Sequence, residues 1–256
     1  MQLHRSDFYR FYNWLKEFIV PGLRNAQFAY RDLLKSTVNS QTRWLDLGCG
    51  HQILPAWMPQ ADQDQSELTQ LCELIIGLDR ECSGMLKHKF IHRRILGDLE
   101  YLPFRSGAFN LITANMVVEH VKNPASLLQE VHRSLQPGGL FSFHTPNRWS
   151  YFAILSSIFS QALKTRLIGL LLGRKEEDIF PTYYRMNSPR ALKKMASVSG
   201  FDAIDLKLVN SSAVTVMLGP LVIFELILIR ILSLAFFKNF RSNIIAQFRK
   251  SPPGSF

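Results

Sequence analysis

Between residues 43 and 147 short apolar runs alternate with stretches of helical periodicity, and that alternation admits few folds. Strands separated by helices cannot pair as hairpins. Each connection must cross a sheet face, so the strands run largely parallel and are covered on both sides. Arg43–Leu47 (RWLDL), Leu74–Asp79 (LIIGLD), Arg94–Gly97, Phe109–Asn115 (FNLITAN) and Leu140–His144 (LFSFH) read as strands one to five. Between the last two, Pro124–Leu135 sets Leu127, Leu128, Val131 and Leu135 on one helical face, and Pro137-Gly138-Gly139 stops that helix. Ser188–Ser199 repeats the pattern with Gly200 as its C′ residue. Ala203–Val209 and Asn243–Phe248 supply strands six and seven. A length of 256 residues suits one such α/β domain with additions.

In open α/β sheets ligands bind beyond the carboxyl ends of the strands, where the strand order reverses. Asp46-Leu47-Gly48-Cys49-Gly50 forms a tight turn after strand one. Gly48 and Gly50, lacking Cβ atoms, allow positive φ and close approach of the backbone to a ligand. Asp79 ends strand two, a carboxylate placed to accept both hydroxyls of a ribose. Asp98, nineteen residues on, is placed to accept from the exocyclic amine of a purine. Acidic residues at two successive strand ends suit a nucleoside without a 2′-phosphate. The G-x-G turn alone is weak, since His51 and Gln52 stand where a dinucleotide fingerprint has its further glycine. The combination carries the reading.

The segments WLDLGCG, IIGLD, GDLEYLPF, FNLITANMVVEHV and LQPGGLFSFHTPN resemble, in order and spacing, the motifs of class I S-adenosylmethionine-dependent methyltransferases, and most closely the branch called methyltransferase type 11. The resemblance covers residues 43–147 closely and 185–209 more loosely; it leaves 1–40 and 148–184 unmatched. It implies a Rossmann-like seven-stranded, mostly parallel sheet with strand seven antiparallel, helices on both faces and S-adenosyl-L-methionine as cofactor. Residue by residue, it implies that Asp46 orients the methionine amino group while Gly48 and Gly50 pass beneath the cofactor. Asp79 would bind the ribose hydroxyls and Asp98 the adenine amine, with the Leu99 backbone reading a ring nitrogen. Asn115 and Met116 would line the cofactor on the acceptor side. Gln52 departs from the small residue usual in the glycine loop, and Pro55 and Pro59 break up the helix that normally follows it.

A hydroxyl acceptor benefits from a base, because it is a poor nucleophile until its proton leaves. His120, beside Glu119 after strand four, is one candidate; the alternative is that this pair caps the turn before the next helix. His144, at the end of strand five, is the other, and it reads equally as a hydrogen-bonded histidine near the core. Asn147, Tyr183, Tyr184 and Arg185 are candidate acceptor contacts, or simply pack the approach to the following helix. No metal site is expected: Cys49, Cys72 and Cys82 lack metal-ligand spacing and suggest no disulfide framework, and a carboxylate–histidine site at Glu119-His120 is the weaker alternative, since no further ligand stands at a short spacing.

The expected organisation is an N-terminal helical extension over residues 1–40 and a methyltransferase domain over 41–256, with apolar cap insertions at about 148–184 and 211–240. Charge follows this division. The chain carries 30 Lys/Arg against 20 Asp/Glu, a net +10, but residues 41–150 hold 10 against 11 and residues 151–256 hold 14 against 6. The basic groups of the second half are interleaved with aliphatic runs at 151–173 and 211–241, including Lys164, Arg166, Arg174, Lys175, Arg230, Lys238 and Arg241. That pattern favours a membrane surface over nucleic acid, and no nucleic-acid partner is expected. The bland alternative is that the two insertions pack on each other as a cap. Ser211–Phe237 is long enough to span a bilayer, yet Glu225 and Arg230 near its centre and Gly219-Pro220 within it argue for a buried or interfacial helix. No apolar leader opens the chain, and the expected location is cytoplasmic, peripheral on the membrane face. The expected activity is methyl transfer from S-adenosylmethionine to a small-molecule, hydrophobic or lipid-linked acceptor. The alternatives are a catalytically degenerate, membrane-associated interaction protein and an RNA methyltransferase.

Overall fold

The computed structural model describes residues 2–158 and 181–251. Seven strands form one sheet in the order β3-β2-β1-β4-β5-β7-β6. They are β1 (Arg43–Leu47), β2 (Leu74–Asp79), β3 (Arg94–Leu96), β4 (Phe109–Asn115), β5 (Leu135–Pro146), β6 (Phe201–Val209) and β7 (Asn243–Lys250). The β1–β2, β2–β3, β1–β4 and β4–β5 pairs are parallel. β7 runs antiparallel to β5: Gln247 Nε2 donates to Ser142 Oγ (2.9 Å) while Lys250, further along β7, reaches back to the carbonyl of Leu135 (2.7 Å). The order reverses between β1 and β4, so the carboxyl ends of those strands open the crevice expected of a doubly wound sheet.

The helices are α1 (Gln2–Ile19), α2 (Ala26–Thr37), α3 (Ala61–Leu71), α4 (Cys82–Met85), α5 (Pro124–Ser134), α6 (Tyr151–Ile158), α7 (Pro189–Val198) and α8 (Leu221–Leu232). Local chemistry fixes their ends. Asn123 Oδ1 accepts the Ser126 N–H and Pro124 occupies the first turn of α5; Ser188 Oγ accepts the Ala191 N–H and Pro189 does the same for α7. Gly200 follows α7 at φ 76°, ending the helix in the left-handed conformation. Leu127, Leu128 and Val131 of α5 and Leu192 and Ala196 of α7 are buried with Phe141, Phe143 and Phe248 of the sheet. The rings of Phe141, Phe143 and Phe248 lie 4.8–6.4 Å apart, within the range of favourable edge and tilted aromatic contacts.

β5 is longer than Leu140–His144. Its pairing with β4 passes from Phe109–Leu135 to Leu111–Leu140, so Gln136-Pro137-Gly138-Gly139 bulges within the strand rather than preceding it. The helix before it ends at Ser134. β3 stops at Leu96, β6 begins at Phe201 and β7 continues to Lys250.

The chain divides into two compact units. One comprises residues 27–146, 182–207 and 244–256; the other comprises 1–26, 147–181 and 208–243. The first holds β1–β5 and the large core. The N-terminal residues do not act as one piece: α1 belongs to the second unit, whereas α2 beyond Ala26 belongs to the first. Within the second unit Tyr12, Leu15, Val20 and Leu23 pack with Ala213, Val222, Leu226 and Ile229.

Ser211–Phe237 is not one helix. Short 3₁₀ turns at Thr215–Leu218 and Ala235–Phe240 flank α8, which has 12 residues. Gly219 at φ 61° and Pro220 mark the first break. Glu225 is 7% exposed and takes four donors: Tyr151 Oη (2.5 Å), Val214 N–H (2.8 Å), Thr215 N–H (2.7 Å) and Thr215 Oγ1 (2.5 Å). The acid that argued against a spanning helix is thus the tie between α6, α8 and the turn at 214–215. No described helix is long and apolar enough to cross a membrane. Lys164, Arg166, Arg174 and Lys175 lie outside the described residues.

Candidate functional site

β1 leads into the glycine turn directly. The Gly48 N–H donates to Leu78 O (2.7 Å), joining the turn to the neighbouring strand. Gly48 lies at φ 64°, and a Cβ there would overlap the Val117 side chain; Gly50 lies at φ 49°, and a Cβ there would meet nothing within 4 Å. The first glycine is therefore required by packing and the second leaves open space above the turn. Asp79, at the end of β2, accepts the Gly50 N–H on Oδ2 (2.8 Å) and the Glu81 N–H on Oδ1 (2.9 Å). The carboxyl group is thereby oriented while remaining part-exposed. Gln52 folds back locally, its Oε1 accepting the Ala56 N–H (3.1 Å), and residues 51–60 form turns before α3 begins at Ala61. Beside this loop lies a cleft of about 540 Å³ lined by His51, Gln52, Met58, Gln65, Lys87 and Phe90 among others; none of the acidic strand-end residues lines it.

Asp46 sits below the turn at 3% exposure, its Oδ1 accepting the Thr113 hydroxyl (2.6 Å). Thr113 in turn accepts the Trp44 indole N–H (2.6 Å). Burial pushes the Asp46 carboxyl up to about 7, the Thr113 hydrogen bond opposing and the nearby Asp79 charge adding. An acid held this way is ready to ionise beside an incoming cation.

Asp98 is exposed, with Oδ1 accepting the Glu100 N–H (2.9 Å), and Leu99 beside it is half-buried against the core. The loop carrying both is anchored from α5. Arg133 donates to the carbonyls of Phe104 (2.5 Å) and Leu102 (2.9 Å), and Glu130 accepts the Leu102 N–H (2.8 Å).

The end of β4 carries a polar network. Asn115 Nδ2 donates to Gln27 Oε1 (3.0 Å) and Ile53 O (3.1 Å); its Oδ1 accepts from Gln27 Nε2 (3.2 Å) and faces His144 Nδ1 (3.0 Å). Met116 follows at φ 58°, held there by its N–H donating to His144 O (2.8 Å). A non-glycine residue in that region carries backbone strain, which surrounding structure must hold in place. His144 is 2% exposed. Its ring lies 6.0 Å from that of Tyr30, and its place is in the wall of the site rather than on its surface.

A second polar chain lies past β4. Glu119 is 2% exposed; its Oε2 accepts the Thr145 hydroxyl (2.9 Å), which accepts from Asn187 Nδ2 (2.6 Å). The backbone carbonyl of Glu119 accepts the N–H groups of Tyr183 (2.8 Å) and Tyr184 (3.3 Å), the latter residue at φ 50°. The segment 183–185 is thereby brought beside His120, whose side chain is 29% exposed with Nε2 3.9 Å from Glu119 Oε1. The Tyr183 ring lies within 6 Å of the Lys122 and Arg185 cations, and Arg185 donates to Lys122 O (2.7 Å). Burial raises the Tyr184 phenol, with the Glu119 charge adding to the effect.

Asn147 is not available to a ligand. Its Nδ2 donates to the carbonyls of Asn239 (2.7 Å) and Arg241 (2.8 Å), and its Oδ1 accepts the Trp149 N–H (3.1 Å), so a fully buried amide is spent on holding its own unit. Gln27, Thr113, Thr145 and Asn187 were not singled out from sequence. Thr113 had a signal, as a polar residue inside the apolar run Leu111–Ala114 of β4; Gln27, on a distant helix, had none. Among the described residues no group of three or more His, Cys, Asp or Glu side chains is placed to hold a metal.

The donor set fits S-adenosylmethionine: a buried acid for an amino group, an oriented carboxyl for a diol, an exposed acid for an amine and an open glycine turn between them. Asp46, Gly48, Gly50, Asp79, Asp98 and Leu99 could hold that cofactor, with Asn115 and Met116 beside it.

Comparison with known proteins agrees. The family model described as a methyltransferase domain matches residues 23–206. The ubiquinone biosynthesis O-methyltransferase of Thiobacillus denitrificans is 27% identical over 164 residues, 63% of this chain and 65% of that protein. The protein of the same description from Psychrobacter arcticus is 29% identical over 205 residues, 76% of this chain and 71% of its own. An uncharacterized methyltransferase of Synechocystis is 30% identical over 141 residues. The chain spans less than two thirds of the length of the first and third of these relatives, at 65% and 61%. Among solved structures, an S-adenosylmethionine-dependent methyltransferase of Methanosarcina mazei superposes with a TM-score of 0.56 at 13% identity, covering 86% of this chain and 97% of that one. One from Mesorhizobium loti gives 0.51 at 17% identity, covering 85% and 96%. At such identities the structural likeness establishes the fold alone.

Proposed function

Because the chain belongs to the class I S-adenosylmethionine-dependent methyltransferases, we propose that it methylates a hydroxyl of a small, hydrophobic, lipid-linked acceptor. The observation that carries the reading is the juxtaposition at the end of β4: a part-exposed His120 beside a buried Glu119, faced by Tyr183–Arg185, one strand from the Asp46–Asp79 cradle. Relatives named for O-methylation in ubiquinone biosynthesis support an oxygen nucleophile on a lipid-linked molecule.

When bound, S-adenosylmethionine supplies a methyl carbon attached to a positively charged sulfur and leaves as the neutral thioether. Asp46 would hold the amino end and Asp79 the ribose, fixing the direction from which an acceptor must approach; such positioning supplies much of the barrier reduction. His120 takes the hydroxyl proton as the oxygen becomes nucleophilic, and Glu119 nearby favours the imidazolium that results. Asn115, locked by Gln27 and the Ile53 carbonyl, keeps the acceptor side of the cradle rigid.

The test is transfer of labelled methyl groups to phenols with and without a long hydrocarbon tail. Transfer favouring the tailed compounds is expected, and His120→Gln should lower kcat by about 10²-fold or more while flattening its pH profile. Absence of binding of S-adenosylhomocysteine by calorimetry would refute the enzyme reading. Binding with an unchanged pH profile in the variant would remove His120 from the proton step.

A further inference from the structure

Among the described residues of the unit comprising 1–26, 147–181 and 208–243, large apolar faces are exposed. α1 and α8 pack together through Tyr12, Leu15, Val222, Leu226 and Ile229, which consumes one face of each. On α1, Phe11 (53% exposed), Trp14 (61%) and Phe18 (74%) then stack in a stripe, their ring centroids 6.0 and 5.7 Å apart. On α8, every exposed position except Arg230 is apolar, and Phe224 is 71% exposed. A helix apolar on its outer as well as its inner face belongs in a protein core or in lipid, and only the inner face of this one packs against α1. At 12 residues it is about 18 Å long, too short to cross the roughly 30 Å hydrocarbon layer.

We propose that this unit docks on an anionic membrane surface, with the α1 aromatic stripe and the outer face of α8 lying in the headgroup–acyl boundary. Charge selects this occupant. The unit's described residues hold 8 Lys/Arg against 3 Asp/Glu, a net +5, and one of the acids, Glu225, is buried. Two copies meeting on such a face would bring like charges together, whereas anionic headgroups are attracted to it while the apolar side chains insert. Exposed Trp14 and Trp149 suit the same boundary, since an indole is apolar in body and polar at its N–H. The docking does not depend on the proposed acceptor, because vesicle association requires neither cofactor nor methyl transfer.

The experiment is flotation of the full chain with phosphatidylcholine vesicles, with and without phosphatidylglycerol, at low and high salt. Association at least about tenfold stronger with the anionic lipid, and weakened by salt, is expected. Trp14→Ser combined with Phe224→Ser should lower it by about tenfold or more, with melting temperature and S-adenosylhomocysteine affinity unchanged because both side chains are exposed. No association with either vesicle overturns the proposal, as does equal association with both. A dimer in sedimentation that the paired substitution dissolves, without vesicle binding, would assign the face to a second copy and overturn it too.

Discussion

Asp46→Asn is expected to stabilise the fold at alkaline pH while abolishing cofactor binding. Asp46 is 3% exposed in the middle of the sheet, and its carboxyl is raised from 3.8 to about 7, chiefly by loss of water around the charged form. Between those two values the folded chain holds a proton that the unfolded chain has released. Stability therefore falls as pH rises through that window, by about 1.4 kcal/mol per pH unit, reaching about 4 kcal/mol by pH 8. Asparagine has no proton to lose and its carbonyl oxygen can still accept from Thr113, so the variant escapes the penalty. Thermal melts of the ligand-free chain should show the variant about 8 °C above the parent at pH 8, with the difference vanishing toward pH 4. Saturating S-adenosylhomocysteine should raise the parent's Tm and leave the variant's unmoved, since only a ligand bound to the native state stabilises it. An advantage for the variant that does not shrink on acidification would refute the assignment to the buried carboxyl. A ligand-induced rise in both proteins would refute its role in holding the amino end.

Other perturbations separate the parts of the site. Asp79→Ala removes the acceptor for the Gly50 and Glu81 N–H groups along with the carboxylate proposed to bind the ribose diol, and calorimetry should detect no S-adenosylhomocysteine binding. Gly48→Ala places a Cβ against Val117 at φ 64° and should cost about 2 kcal/mol or more in urea unfolding. Glu225→Ala strands two backbone N–H groups and two hydroxyls, costing about 3 kcal/mol and speeding hydrogen exchange at Val214 and Thr215.

The sheet of the larger unit was legible because its signals are local. β1, β2 and β4 have the bounds that the apolar runs of RWLDL, LIIGLD and FNLITAN suggested, and Asp46 and Asp79, at the carboxyl ends of β1 and β2, stand where a period-two strand must deliver them. β5 is longer than its sequence suggests because Pro137-Gly138-Gly139 reads as a stop. Only pairing with β4 shows that a strand can carry that tripeptide as a bulge. Asn147 was legible as a polar residue following β5 and not as one whose amide is already spent, because its partners, the carbonyls of residues 239 and 241, lie more than ninety positions away.

The sequence alone determined the cofactor chemistry: which strands end in acids, which turn must be glycine, and which half of the chain carries the excess charge. Spacing along one chain settles such matters, since a strand end and its following turn are neighbours in sequence. Tertiary structure decided the rest. It placed Gln27 against Asn115, buried Asp46 deeply enough to raise its carboxyl to about 7, and spent Glu225 as a four-donor anchor instead of a charge opposed to lipid. Burial and partnership are set by residues far apart in the chain, and they alone fix whether a polar side chain is chemistry, scaffold or surface.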